Sequence, residues 1–235
     1  MTFLSTKQTP PAARYAGMVR DAFPGAAVDV VPAILGDGVR ALVGHGAVVL
    51  TLEVSHAQGH RGPVPVTAVS ARVPTRGAVL TLGPAASIPA SAKAPRPPHP
   101  GLQSVGVLAA PACLAPALLD ARALDALAAL RGADHAPGDL SLDADLLSLR
   151  LHGWPGDPLE LQRAAALVGE LAARVPSVLD RHFGLGATLH AHPEVRALRA
   201  WYDARSRAAW ALVLGVLALS TIGAFALSTA LVLMR

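Results

Sequence analysis

The chain has 235 residues, a formal charge of +4, 52 % hydrophobic residues, nine aromatic residues and one cysteine. That is long enough to bury a core, but it excludes an internal disulfide and a cysteine-clustered zinc site, and the few aromatics leave no base-stacking platform. The 18 arginines against 2 lysines, with 48 alanines, look like the drift of a GC-rich bacterial genome, so basicity alone is not read as nucleic-acid binding.

Residues 1–26 are read as a tail and an N-terminal helix over about Pro11 to Phe23, stopped by Pro24 and Gly25. No apolar run of signal-peptide length stands between the charges there, so export through such a signal is not expected.

Residues 27–83 read as a β-rich lobe. "GAVVLTLEVS" alternates, with Val48, Leu50, Leu52 and Val54 on one face, and "VDVVPAIL", "VRALV", "PVPVTAVSARV" and "GAVLTL" are further strands between Gly/Pro turns. Pro32, Pro63 and Pro65 lack the amide hydrogen that a ladder needs, which places them at edges or strand starts. Residues 84–101 carry six prolines and no acid, the composition of an extended linker or long loop.

Residues 102–192 read as an α+β lobe. It comprises a strand in "LQSVGVLAA", one helix over "PALLDARALDALAALRG", a hairpin turning about Asp143 to Asp145, and a helix over "DPLELQRAAALVGELAARV". The last has a capping-box start, with Asp157 at the N-cap, Pro158 at N1 and Glu160 at N3. Its buried stripe is Leu161, Ala164, Ala165, Val168, Leu171, Ala172 and Val175. Cys113 reads as a small buried apolar residue.

The search for chemistry finds no constellation. His56 and His60 in "HAQGH" read as loop residues, because Gly59, Gly62 and Pro63 oppose a helix, and His190 and His192 lead into a helix without sharing a face. Asp134, Asp139, Asp143 and Asp145 lack the glycine and terminal glutamate of a calcium loop and read as turn and cap residues. Arg150, His152, His182 and the acidic middle region are the candidates for an enzyme assembled from scattered residues. Neither a cofactor nor a metal is expected.

Residues 193–235 form the membrane end. From Ala208 to Met234 no side chain carries a charge. As a helix this run reaches about 40 Å, against a hydrocarbon core of roughly 30 Å, so it is long enough to span with tilt. Arg196, Arg199, Arg205 and Arg207 precede the run, and Trp201, Tyr202 and Trp210 stand at the near interface, so the positive-inside rule puts the amino-terminal side in the cytoplasm. Asp203 and Arg207, one helical turn apart, read as an ion pair. Ala211 with Gly215, and Ser220 with Ala224 and Ser228, form small-residue rows suited to helix–helix contact. With no ionisable residue inside, the run offers no ion or proton path.

The fold class expected is therefore an α+β part, antiparallel strands packed with helices, plus one C-terminal transmembrane helix. The functional expectation is a tail-anchored, single-pass protein of the bacterial inner membrane carrying a cytoplasmic, non-catalytic binding or scaffold module. Its partners would be anionic headgroups of the bilayer and either an unidentified protein or a second copy, with no nucleic acid. A subunit of a multi-span complex, or an enzyme with an unrecognised site, are the alternatives.

Overall fold

A computed structural model describes residues 11–32, 37–59, 62–84, 98–103, 105–131, 136–152, 157–204 and 207. They divide into two units, 1–190 and 191–235.

The first unit is an α+β body around one eight-stranded antiparallel sheet. Its strands are β1 (Val28–Val31), β2 (Gly38–His45), β3 (Val48–Gly59), β4 (Gly62–Arg72), β5 (Val79–Pro84), β6 (Val105–Ala110), β7 (Ala136–Asp143) and β8 (Leu146–His152). Their spatial order is β1-β2-β3-β4-β8-β7-β5-β6. The first four strands form a meander; the chain then crosses two strand positions to β5, and the β7–β8 hairpin fills the gap it leaves. The stretches 27–83 and 102–192 thus contribute five and three strands to a single sheet.

Period-two alternation builds both faces. Leu50, Leu52 and Val54 of β3 register with Ala71, Val69 and Thr67 of β4, which in turn face Leu147, Leu149 and Leu151 of β8, and all are buried. Pro63 and Pro65 lie at the start of β4, opposite Gln58 and His56, where β8 has not yet joined; its pairing begins at Val66. "HAQG" departs from the loop expectation, because β3 continues to Gly59 and His56 is a strand residue whose ring lies 6.0 Å from that of Tyr15.

Helix α1 (Pro11–Ala22) ends beside Gly25, which takes the left-handed conformation (φ 86°) that glycine allows without strain. Helix α4 (Pro158–Phe183) packs against β2, β3, β4 and β8. Asp157 caps it by accepting from the Glu160 amide at 2.9 Å, and all seven residues of the expected stripe are buried. The helix runs through Pro176 for two further turns, because Val178 and Leu179 continue the buried stripe. Gln162 Nε2 donates to the Ala22 carbonyl at 2.7 Å, tying α4 to the end of α1.

The expected single helix over 116–132 is instead two, α2 (Leu114–Leu118) and α3 (Ala121–Arg131). The reason is Asp120: its carboxylate accepts from the Ala123 amide at 2.9 Å and pairs with Arg174 at 2.9 Å, so it starts a helix where periodicity alone continued one. That amide, ahead of the Arg174 charge, holds the Asp120 carboxyl below its ordinary pKa. Cys113, at the N-cap position of α2, is exposed rather than buried.

The second unit is described as a helix, α5, over residues 193–204, with Val195 and Leu198 buried. Among the described residues no helix is long and apolar enough to cross a membrane, and the run 208–234 lies outside them.

Candidate functional site

Helix α5 carries Arg196, Arg199, Trp201 and Tyr202 of the expected membrane interface. Pro193 occupies its first position, where a missing amide hydrogen costs nothing, and the Arg196 amide donates to the His192 carbonyl at 3.0 Å. Arg196 and Tyr202 are exposed, while Arg199 and Trp201 are half-buried. The rings of Trp201 and Tyr202 meet edge to face, centroids 5.0 Å apart at 68°, a geometry in which a positive ring edge meets a negative face. In place of the expected ion pair with the Asp203 carboxylate, the Arg207 Nε donates to the Asp203 main-chain carbonyl at 3.3 Å. Arg205, Trp210, Ala211, Gly215, Ser220, Ala224 and Ser228 lie outside the described residues.

A second polar cluster, which periodicity does not reveal, joins three turns of the first unit. The β7–β8 turn places Ala144 and Asp145 at φ 49° and 58°, the paired left-handed geometry of a two-residue hairpin. Asp145 Oδ1 accepts from the Thr75 amide at 2.8 Å and from the Thr75 hydroxyl at 3.0 Å. These two donors, the amide first, hold the Asp145 carboxyl below its ordinary pKa. The neighbouring Arg76 pairs with Asp180 of α4 at 2.7 Å and donates to the Gly184 carbonyl at 3.3 Å. Its own carbonyl accepts from the Leu189 amide at 2.7 Å. Gly77 (φ 93°) lies beneath the His190 ring, leaving no room for a β-carbon there. The β4–β5 turn is thus the junction between the sheet, the end of α4 and the segment leading to His190. The sequence signal for it is the Thr-Arg-Gly turn at 75–77, whose glycine meets a positive-φ requirement.

Of the candidate residues for an enzyme, Arg150 and His182 are not brought together. Arg150 is exposed on the sheet face opposite Leu149, whereas His182 is exposed on the last turn of α4, the helix packed over the Leu149 face. His152 ends β8, and its side chain is outside the described residues, as are His60 and Asp134. Of the acidic cluster, Asp143 accepts from the Ala144 amide at 2.8 Å and Asp145 from Thr75, which is turn duty. Among the described residues no group of three histidine, cysteine or acidic side chains is placed to hold a metal.

An open groove of about 300 Å³ lies between α3 and α4. Ala123, Ala126, Ala129 and Ala166 line it, and the Arg122–Glu170 ion pair (2.8 Å) stands on its rim. Short side chains let another apolar group approach the helix backbones closely. The groove can receive an apolar group, but its charged groups are already paired or solvated, and nothing in it is poised for proton transfer.

Compared with known protein families, curated proteins and solved structures, the chain finds no match.

Proposed function

We propose that the chain is a single-pass protein of the bacterial inner membrane, held there by residues 208–234, with its α+β body on the cytoplasmic side serving as a non-catalytic binding module. The observation that carries this reading is the uncharged run 208–234, with four arginines and three aromatic residues gathered at its near end. Twelve positions of the run are Leu, Val, Ile or Phe. Each favours insertion by roughly 0.3–0.6 kcal/mol near the bilayer centre. Arginines close to the surface add attraction to anionic headgroups of about 1 kcal/mol each. The scattered positions of Arg150 and His182 support a binding role over catalysis, and the alanine-lined groove between α3 and α4 supports a protein partner or a second copy over a polar metabolite.

The lone, exposed Cys113 makes the orientation measurable. A membrane-impermeant maleimide should label the native chain in inverted inner-membrane vesicles and leave it unlabelled in intact spheroplasts until they are lysed. The opposite pattern would reverse the orientation, and release of intact protein by a carbonate wash would remove the anchor.

A further inference from the structure

Leu185 is 89 % exposed, the most exposed large apolar side chain among the described residues. It stands between Gly184 (φ 87°) and Gly186 (φ 71°). Side-chain-bearing residues adopt these two left-handed positions only with strain. The turn is fastened. The Gly184 amide donates to the Asp180 carbonyl at 2.9 Å, the Ala187 amide to the Gly184 carbonyl at 3.3 Å, and Arg76 bridges Asp180 and the Gly184 carbonyl. A leucine that would gain from leaving water is therefore held outward by a defined turn.

Its neighbours narrow what it can meet. Arg181 and His182 are exposed on the preceding helical turn. Through Arg76, Thr75 and Asp145 the turn is linked to the β7–β8 hairpin, where Leu146 is 41 % exposed and registers with the exposed Arg72. The aspartates 143, 145 and 180 balance arginines 72, 76 and 181, so this surface is no trap for a free anion; it offers an apolar tip with basic shoulders. The same chain reaches its uncharged run at Ala208, 23 positions after Leu185. So short a tether gives the turn a high effective concentration at any bilayer holding that run, and a contact too weak to recruit a free protein suffices.

We propose that the Gly184–Gly186 turn is a lipid contact: Leu185 enters the boundary between headgroups and acyl chains, while Arg181 and His182 lie at phosphate level. This rests on the membrane reading above, and the occupant is the surface of the bilayer that anchors residues 208–234.

The test uses the full chain in vesicles containing phosphatidylglycerol, with Cys113→Ser and an environment-sensitive fluorophore on Leu185→Cys. The control carries the fluorophore on Leu159→Cys, also exposed (46 %) but at the other end of α4. From Leu159 to the end of α4 at Phe183 the helix alone runs roughly 36 Å. Emission from position 185 should shift to the blue and be quenched by lipids brominated on the acyl chains severalfold more than emission from position 159. Equal quenching at both positions overturns the contact. A blue shift that grows with the protein-to-lipid ratio and ignores the brominated lipids assigns the surface to a second copy, and overturns it as well. If the chain fails to float with the vesicles, the membrane reading itself falls; if it floats while position 185 stays in water, only the lipid contact does.

Discussion

On β8, Leu147, Leu149 and Leu151 are at most 3 % exposed, while Arg150 between them is open to solvent. Strands β2, β3, β4 and β7 repeat this contrast, whereas β6 is buried on both faces. The face beneath α4 is aliphatic. On the opposite face the register lines up Thr51, Ser70, Ser148, Ser141 and Thr81 across five strands, and beside them Arg40, Glu53, Ala68, Arg150 and Asp139. An antiparallel sheet can solvate one face, so short hydroxyls and alternating charges suffice there, whereas a gap on the other face loses dispersion contacts that water cannot replace. Stability should therefore concentrate on one face and leave the other free to vary. The sharpest way to break this claim is to compare adjacent residues. Leu149→Ala should cost about 3–4 kcal/mol in urea denaturation, and Arg150→Ala less than about 0.5 kcal/mol. Comparable losses at the two positions would show that the exposed face is covered in the working protein.

Tyr15 of α1 is a buried polar side chain in this core: it packs beside His56, is 1 % exposed, and burial pushes its pKa up to about 12, against a smaller lowering by Arg14. The folded chain thus holds the phenolic proton longer than the unfolded chain, whose tyrosine titrates near its ordinary value of about 10. The stabilisation is complete below about pH 10 and is lost as pH rises toward about 12, at most about 2–3 kcal/mol by linkage. Thermal melts across the alkaline range should show this loss, and Tyr15→Phe should flatten it. An unchanged alkaline limb in the variant would mean that Tyr15 ionises as easily folded as unfolded.

Much of this contrast is legible in the sequence, and the parts that are not share a cause. Alternation in β3 and β8, the Asp157 cap and the seven-residue stripe of α4 are set by contacts within a few positions, and local pattern reads them directly. The insertion of β7–β8 between β4 and β5 is a pairing choice among strands of equal hydrophobicity, on which one strand's pattern is silent. The break at Asp120 depends on Arg174, more than fifty positions away, and the continuation of α4 through Pro176 on a sheet beneath it. Of the expected membrane interface, Arg196, Arg199, Trp201 and Tyr202 share one helix that starts at Pro193. The outward Leu185 escapes pattern reading because a single leucine between glycines has no period.

Gly169 offers the finest test, because its missing β-carbon leaves room for the His45 ring of β2. In the middle of α4 a glycine should cost roughly 0.8–1 kcal/mol relative to alanine, so propensity alone recommends Gly169→Ala. The fold argues the reverse: a β-carbon there would collide with Cδ2 of His45, at the end of β2 on the aliphatic face. Either the ring leaves its place or the helix lifts from the sheet, and overpacking of this kind costs about 1–3 kcal/mol, more than the propensity gain. Gly169→Ala should therefore destabilise the native chain by about 1 kcal/mol, and stabilise a His45→Ala background by about 0.5–1 kcal/mol, in a double-mutant cycle read by urea denaturation. That reversal of sign separates a steric seam from a floppy one. If alanine stabilises both backgrounds, the His45 ring swings aside freely and the aliphatic face is less closely packed at this edge than at Leu149.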